Sequence, residues 1–102
     1  MRHLIIAALA ALALATPARA QGSVWDSLAE CESGQRWQLA SGNGFYGGLQ
    51  FTMESWNGAG GQAYAWRADY ATRSEQIVIA ENLLELQGWR AWPVCSRRLG
   101  LR

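Results

Sequence analysis

The sequence predicts a small α+β domain: helices with a short β-hairpin region, closed by one disulfide. Three observations carry that expectation. Two capping boxes each open a stretch of helically spaced apolar residues, Asn43-Gly44 stands as a turn signal between two short segments, and the only cysteines are Cys31 and Cys95.

The chain begins with Met1-Arg2-His3, continues as an apolar run from Leu4 to Ala15, and then reads Thr-Pro-Ala-Arg-Ala. The run is about a dozen residues, short of the roughly 20 that a membrane-spanning helix needs, and Ala18-Arg19-Ala20 places small residues where a signal peptidase reads. Residues 1–20 are therefore expected to be a secretory signal peptide cleaved after Ala20. Residues 21–102 are expected to form a single domain, secreted or held in the cell wall, with no membrane segment after cleavage. A chain of that size buries only about 60–65% of the surface it exposes when unfolded, so a covalent staple is expected. One Cys31–Cys95 bridge, rather than two free thiols, would close a loop of about 64 residues and contribute roughly 4 kcal/mol.

Composition narrows the chemistry. Beyond residue 20, seven arginines stand against eight acids with no basic stripe, so nucleic acid is not an expected partner. The only histidine is His3, and lysine is absent. That removes Ser-His and Cys-His nucleophile pairs, Ser-Lys dyads, histidine-ligated zinc and Schiff bases from residues 21–102, and no metal or organic cofactor is implied. Carboxylates would have to do any catalytic work.

The first capping box, Ser23-Val24-Trp25-Asp26, predicts a helix from Val24 to about Ser33. At 100° per residue, Val24, Trp25, Leu28, Ala29 and Cys31 make one apolar face, with Asp26 and Glu30 opposite. Glu32 falls inside the apolar face. A carboxyl beside Trp25 and Leu28 loses hydration, which raises its pKa as a general acid at neutral pH requires. Spacing alone leaves a second reading open, in which the last turn frays and Glu32 points into water.

Asn43-Gly44 predicts a hairpin between Trp37–Ala40 and Phe45–Phe51, with Gly47-Gly48 marking a bulge or a close backbone approach of a ligand. Thr52 is placed to cap a short helix through Trp56, ended by Gly58, Gly60 and Gly61. The second capping box, Thr72-Arg73-Ser74-Glu75, opens a helix from Arg73 to Gln87 that stops at Gly88. Its apolar arc comprises Ile79, Ala80, Leu83, Leu84 and Leu86, and Gln87 falls in the middle of it.

An acid on an apolar face, a glycine-rich segment after it, six tryptophans and an exported address suggest a polysaccharide substrate, because aromatic faces stack on sugar rings. Trp25, Trp37 and Trp66 are assigned to packing. Trp56 and Trp92 are left open.

The stretches VWDSLAECESG, SGNGFYGGLQF followed by SW, and QGWRAWPVC resemble the catalytic domain of the actinobacterial resuscitation-promoting factors, over Val24 to about Leu101. The resemblance implies a lysozyme-like fold and peptidoglycan glycan strands as partner and substrate. It further implies Glu32 as catalytic acid, Cys31–Cys95 as the family disulfide, and Gln50, Ser55 and Gln87 lining the glycan groove; Tyr46 and Trp56 are added to that groove. A cell-wall endopeptidase is a further partner to be expected from the family, and a monomer is expected. The chain departs from the family pattern at Gln35-Arg36, Phe45 and Ser55. Arg36 and Phe45 are expected near the groove, where they would alter glycan preference and leave the acid intact.

Two-carboxylate glycosidases need a second acid across the scissile bond, and none occurs from Ser33 to Met53. A lone Glu32 favours a lytic transglycosylase over a single-acid muramidase. A peptidoglycan-binding module without catalysis would have no use for an acid on the apolar face, and a small secreted inhibitor or signalling protein would carry a denser disulfide framework.

Overall fold

The computed structural model describes residues 23–102; the expected signal peptide lies outside the described residues. Four α-helices follow in order: α1 (Val24–Ser33), α2 (Met53–Gly58), α3 (Arg73–Gln87) and α4 (Pro93–Arg98). Short 3-10 turns occupy Gly61–Ala63, Ala68–Tyr70 and Gly88–Ala91.

Both predicted capping boxes form. Ser23 caps α1 while Asp26 reaches back to the cap backbone, and Thr72 and Glu75 do the same for α3. Asp26 is not the solvated residue that its place opposite the apolar face suggested. Its carboxylate also takes a two-pronged pair from Arg73, at 2.9 Å from Nε and 2.6 Å from Nη2, tying the starts of α1 and α3 together. Thr52 caps α2, which runs two residues beyond Trp56 to Gly58. Helix α4 and the three 3-10 turns were not expected.

The domain is mostly helical, and among the described residues the predicted hairpin forms no strand ladder, its two arms being linked by one backbone bond from Gly47 N–H to the Leu39 carbonyl at 2.9 Å. Among the described residues the only β-pairing is one isolated antiparallel bridge, Tyr46 to Phe51, around a turn at residues 47–50. The Asn43 side chain accepts from the Phe45 N–H at 3.0 Å, so Asn43-Gly44 is spent on a local turn. The Trp37 carbonyl, which a ladder would need, is taken by Gln76 Nε2 at 2.7 Å. Gly47-Gly48 do mark a close approach, but to the protein itself. A Cβ on Gly48 would lie 2.5 Å from the Trp37 ring, and one on Gly47 would lie 2.5 Å from Gln76 Oε1.

Leu28, Leu49, Phe51, Trp56, Ile77, Ile79 and Leu83 form the centre of the core. Trp25, Trp89 and Trp92 cluster with ring centroids 5.4 to 6.1 Å apart, and Cys31–Cys95 joins α1 to α4 beside them. No described helix is long and apolar enough to cross a membrane.

Candidate active site

Glu32 sits on the last turn of α1, one and two turns after the buried Leu28 and Trp25 on the same face. That turn does not fray. Gly34 takes the left-handed conformation, its N–H donates to Glu30 O at 2.9 Å, and the Gln35 N–H donates to Ala29 O at 3.1 Å. Arg36 adds a cap, donating from Nε to the Ser33 carbonyl at 2.7 Å. The Glu32 carboxyl is half-buried and makes no hydrogen bond or ion pair among the described residues. Burial alone therefore acts on it and pushes its pKa above the ordinary glutamate value.

The neighbours of Glu32 are both anchored. Cys31 is bonded to Cys95, and Ser33 Oγ donates to the Gly48 carbonyl at 2.8 Å. Gly48 N–H in turn donates to Gln76 Oε1 at 2.9 Å, and Trp92 Nε1 donates to the Leu49 carbonyl at 2.9 Å. Helices α1 and α3 and Trp92, the residue that caps α4, thus grip one four-residue turn. Gln50 ends that turn at φ 54°, a left-handed conformation that costs a non-glycine residue about 1–2 kcal/mol. Its Nε2 donates to Gly47 O at 3.1 Å. The Ser33–Gly48 contact therefore brings the residue after Glu32 against the turn that Gln50 ends.

Tyr46 opens the same turn, half-buried, with the Arg67 guanidinium 4.5 Å above its ring, so one face is already covered. Arg67 also lies 5.0 and 5.1 Å from the Trp66 and Tyr70 rings, and Asp69 holds it at 2.6 and 3.0 Å. Trp66, expected in the core, is 57% exposed, with its ring against Tyr70 and Arg67.

Ser55 and Gln87 meet across a cavity of about 190 Å³ lined also by Glu54, Gly58, Leu83 and Leu86. Glu32 is not part of that lining. Of the expected site residues, Gln50 and Tyr46 lie on the turn that Ser33, the neighbour of Glu32, holds through Gly48, while Ser55 and Gln87 line the cavity beside α2. Trp56 belongs to neither. It is fully buried, with Phe51 against its ring at 5.1 Å and its Nε1 donating to Ala65 O at 2.8 Å, so it has no face for a sugar. Gln87 is exposed rather than turned to the core, as is Leu86, because the last turn of α3 runs past the packed layer.

Sequence reasoning missed Gln76 and Glu54. Gln76 lies 11 residues before Gln87, three helical turns earlier on the same stripe, so the signal that singled out Gln87 applied to it equally. Glu54 was visible only as the neighbour of Ser55. Among the described residues no group of three or more His, Cys, Asp or Glu side chains gathers as a metal site.

Comparison with known proteins matches residues 19–95 to the transglycosylase-like domain model. RpfB, a resuscitation-promoting factor of Mycolicibacterium smegmatis, is 55% identical over 86 residues, 84% of this chain and 24% of the relative. Rpf of Micrococcus luteus is 50% identical over 97 residues, 94% of this chain and 42% of the relative. RpfE of Mycobacterium tuberculosis is 54% identical over 74 residues, 72% and 41%. The chain thus spans less than half the length of these curated relatives.

Proposed function

The chain belongs to the transglycosylase-like domain family, and on that premise we propose that it is an exported, lysozyme-like enzyme that cleaves peptidoglycan with Glu32 as its single acid and base. The observation that carries the reading is the Glu32 carboxyl, half-buried with no hydrogen-bond or ion-pair partner among the described residues and raised in pKa by that burial. Such a group keeps a proton closer to neutral pH than an ordinary carboxylate and can deliver it to a leaving oxygen. The similarity to resuscitation-promoting factors supports the polymer as substrate and a role in wall remodelling or resuscitation.

In this reading Glu32 protonates the oxygen of the β-1,4 bond between N-acetylmuramic acid and N-acetylglucosamine. As the conjugate base it then accepts the proton of the muramic acid C6 hydroxyl, which attacks C1 and closes a 1,6-anhydro ring. Gln50, Ser55 and Gln87 act as neutral hydrogen-bonding groups along the strand, and Tyr46 contributes the ring surface that Arg67 leaves uncovered. The protein acts as a monomer, and a wall endopeptidase would work on the peptide cross-links of the same polymer.

A second reading is a single-acid muramidase, in which water replaces the C6 hydroxyl as the group that Glu32 deprotonates. Mass analysis of fragments released from purified sacculi separates the two. Anhydro muropeptides, lighter by one water, are expected; ordinary reducing muramic ends would make water the nucleophile. Glu32→Gln fills the same volume without a deliverable proton and is expected to release nothing. More than a few per cent of residual activity in a clean preparation would remove Glu32 from the role.

A further inference from the structure

Gln87 lines two cavities. Beyond the Glu54–Ser55 cavity lies a second, of about 270 Å³, lined by Gln87, Trp89, Arg90 and Arg102. Trp89 is fixed as its floor by packing on Trp25 at 5.4 Å and on Trp92 at 6.1 Å. Arg90, on the 3-10 turn that follows α3, and Arg102 are both exposed, and neither makes an ion pair among the described residues. Arg67 and Arg73 differ, each being held by an aspartate. The charge along the chain is polarised in the same sense. Residues 88–102 carry four arginines and no acid, while residues 21–87 carry three arginines and all eight acids.

We propose that the Trp89–Arg90–Arg102 cavity is a subsite for carboxylates of the peptide stems borne by the glycan strand that enters the adjoining Ser55–Gln87 cavity. The proposal rests on peptidoglycan being the substrate. Stems branch from the strand at each muramic acid, so a strand lying in the first cavity presents their carboxylates to its sides, and a guanidinium beside an aromatic floor is suited to pair with them in a forked geometry. Because the arginines are exposed, the pairing shifts preference among strands and leaves the bulk of the affinity to the glycan contacts.

Three strand preparations test this with the whole protein: strands with intact stems, the same strands with their carboxylates converted to amides by carbodiimide and ammonia, and strands stripped of stems by an amidase, which keep only the lactyl carboxylate. Amidation is expected to raise the wild-type KM about three- to tenfold, and stripped strands are expected to behave like amidated ones. Arg90→Gln is expected to raise KM on intact strands by a similar factor, and substitution and amidation together to cost no more than either alone. Equal KM on intact and amidated strands overturns the subsite, as does equal KM on intact and stripped strands, which would mean that the stem carboxylates are not what is read. The substrate arms stand even if the variant fails to fold. Co-sedimentation of the three preparations with the wild-type protein is read in parallel. A preference for intact stems without any cleavage would sink the enzymatic reading and leave the subsite standing.

Discussion

Glu32 combines a helix-terminal position with partial loss of water, and its titration has a definite sign. Its native pKa lies above the ordinary value because burial penalises the charged form. The folded state therefore holds the proton more tightly than the unfolded chain, and the stability that this contributes is fully present below the ordinary glutamate value. It is lost as pH rises through the raised native pKa and stays lost above it. Glu32→Gln has no such titration. Urea unfolding of the two proteins side by side is expected to show wild type losing stability relative to Glu32→Gln as pH rises across that window. Wild type gaining instead would show that the ionised carboxylate is the form the fold favours. Under the proposed mechanism the Glu32 proton is the reagent, so cleavage by wild type is expected to fall on the alkaline side of the same pKa. The sequence already set Glu32 among Trp25 and Leu28. What it left open was whether the turn held, and that depends on the Gly34 cap and on the Ser33 hydroxyl reaching Gly48.

At the scale of elements, α3 and the turn at residues 47–50 are joined by one side chain. Gln76, fully buried, accepts from Gly48 N–H and donates to the Trp37 and Ala71 carbonyls. Gln76→Leu would leave the buried Gly48 N–H and Trp37 carbonyl without partners, while the Ala71 carbonyl keeps Gln38 Nε2 at 3.1 Å, and the cost is expected to be about 2–4 kcal/mol, measured by urea unfolding. A loss below about 0.5 kcal/mol would show that the turn is held without it. The start and stop of α3 were legible because a capping box and a terminal glycine act within a few residues. The buried role of Gln76 was not, since its partner Trp37 lies 39 residues away.

For the molecule as a whole, the Cys31–Cys95 bridge spans 64 residues and ties the acid's helix to α4. On the chain-entropy model its reduction is expected to cost about 4 kcal/mol. Because Cys31 adjoins Glu32, cleavage of sacculi is expected to fall, with rising temperature or urea, before the far-ultraviolet circular dichroism of the reduced protein does. Reduced protein that cleaves normally well below its melting point would make the bridge a staple only.

The sequence by itself determined where α1 begins, where α3 begins and ends, which chemistries the lack of histidine and lysine excludes from residues 21–102, and which carboxyl occupies an apolar face. Each of these is written in residue identity or in spacing within a few turns. The tertiary structure alone decided that Trp56 is core while Trp66 is exposed, that Gln76 is buried while Gln87 on the same stripe faces water, and that Asn43-Gly44 starts no ladder. Helical periodicity states which residues share a face, but burial depends on what packs against that face. Here the partners are turns and side chains brought in from dozens of residues away, as Gly48 is to Gln76 and Leu49 to Trp92.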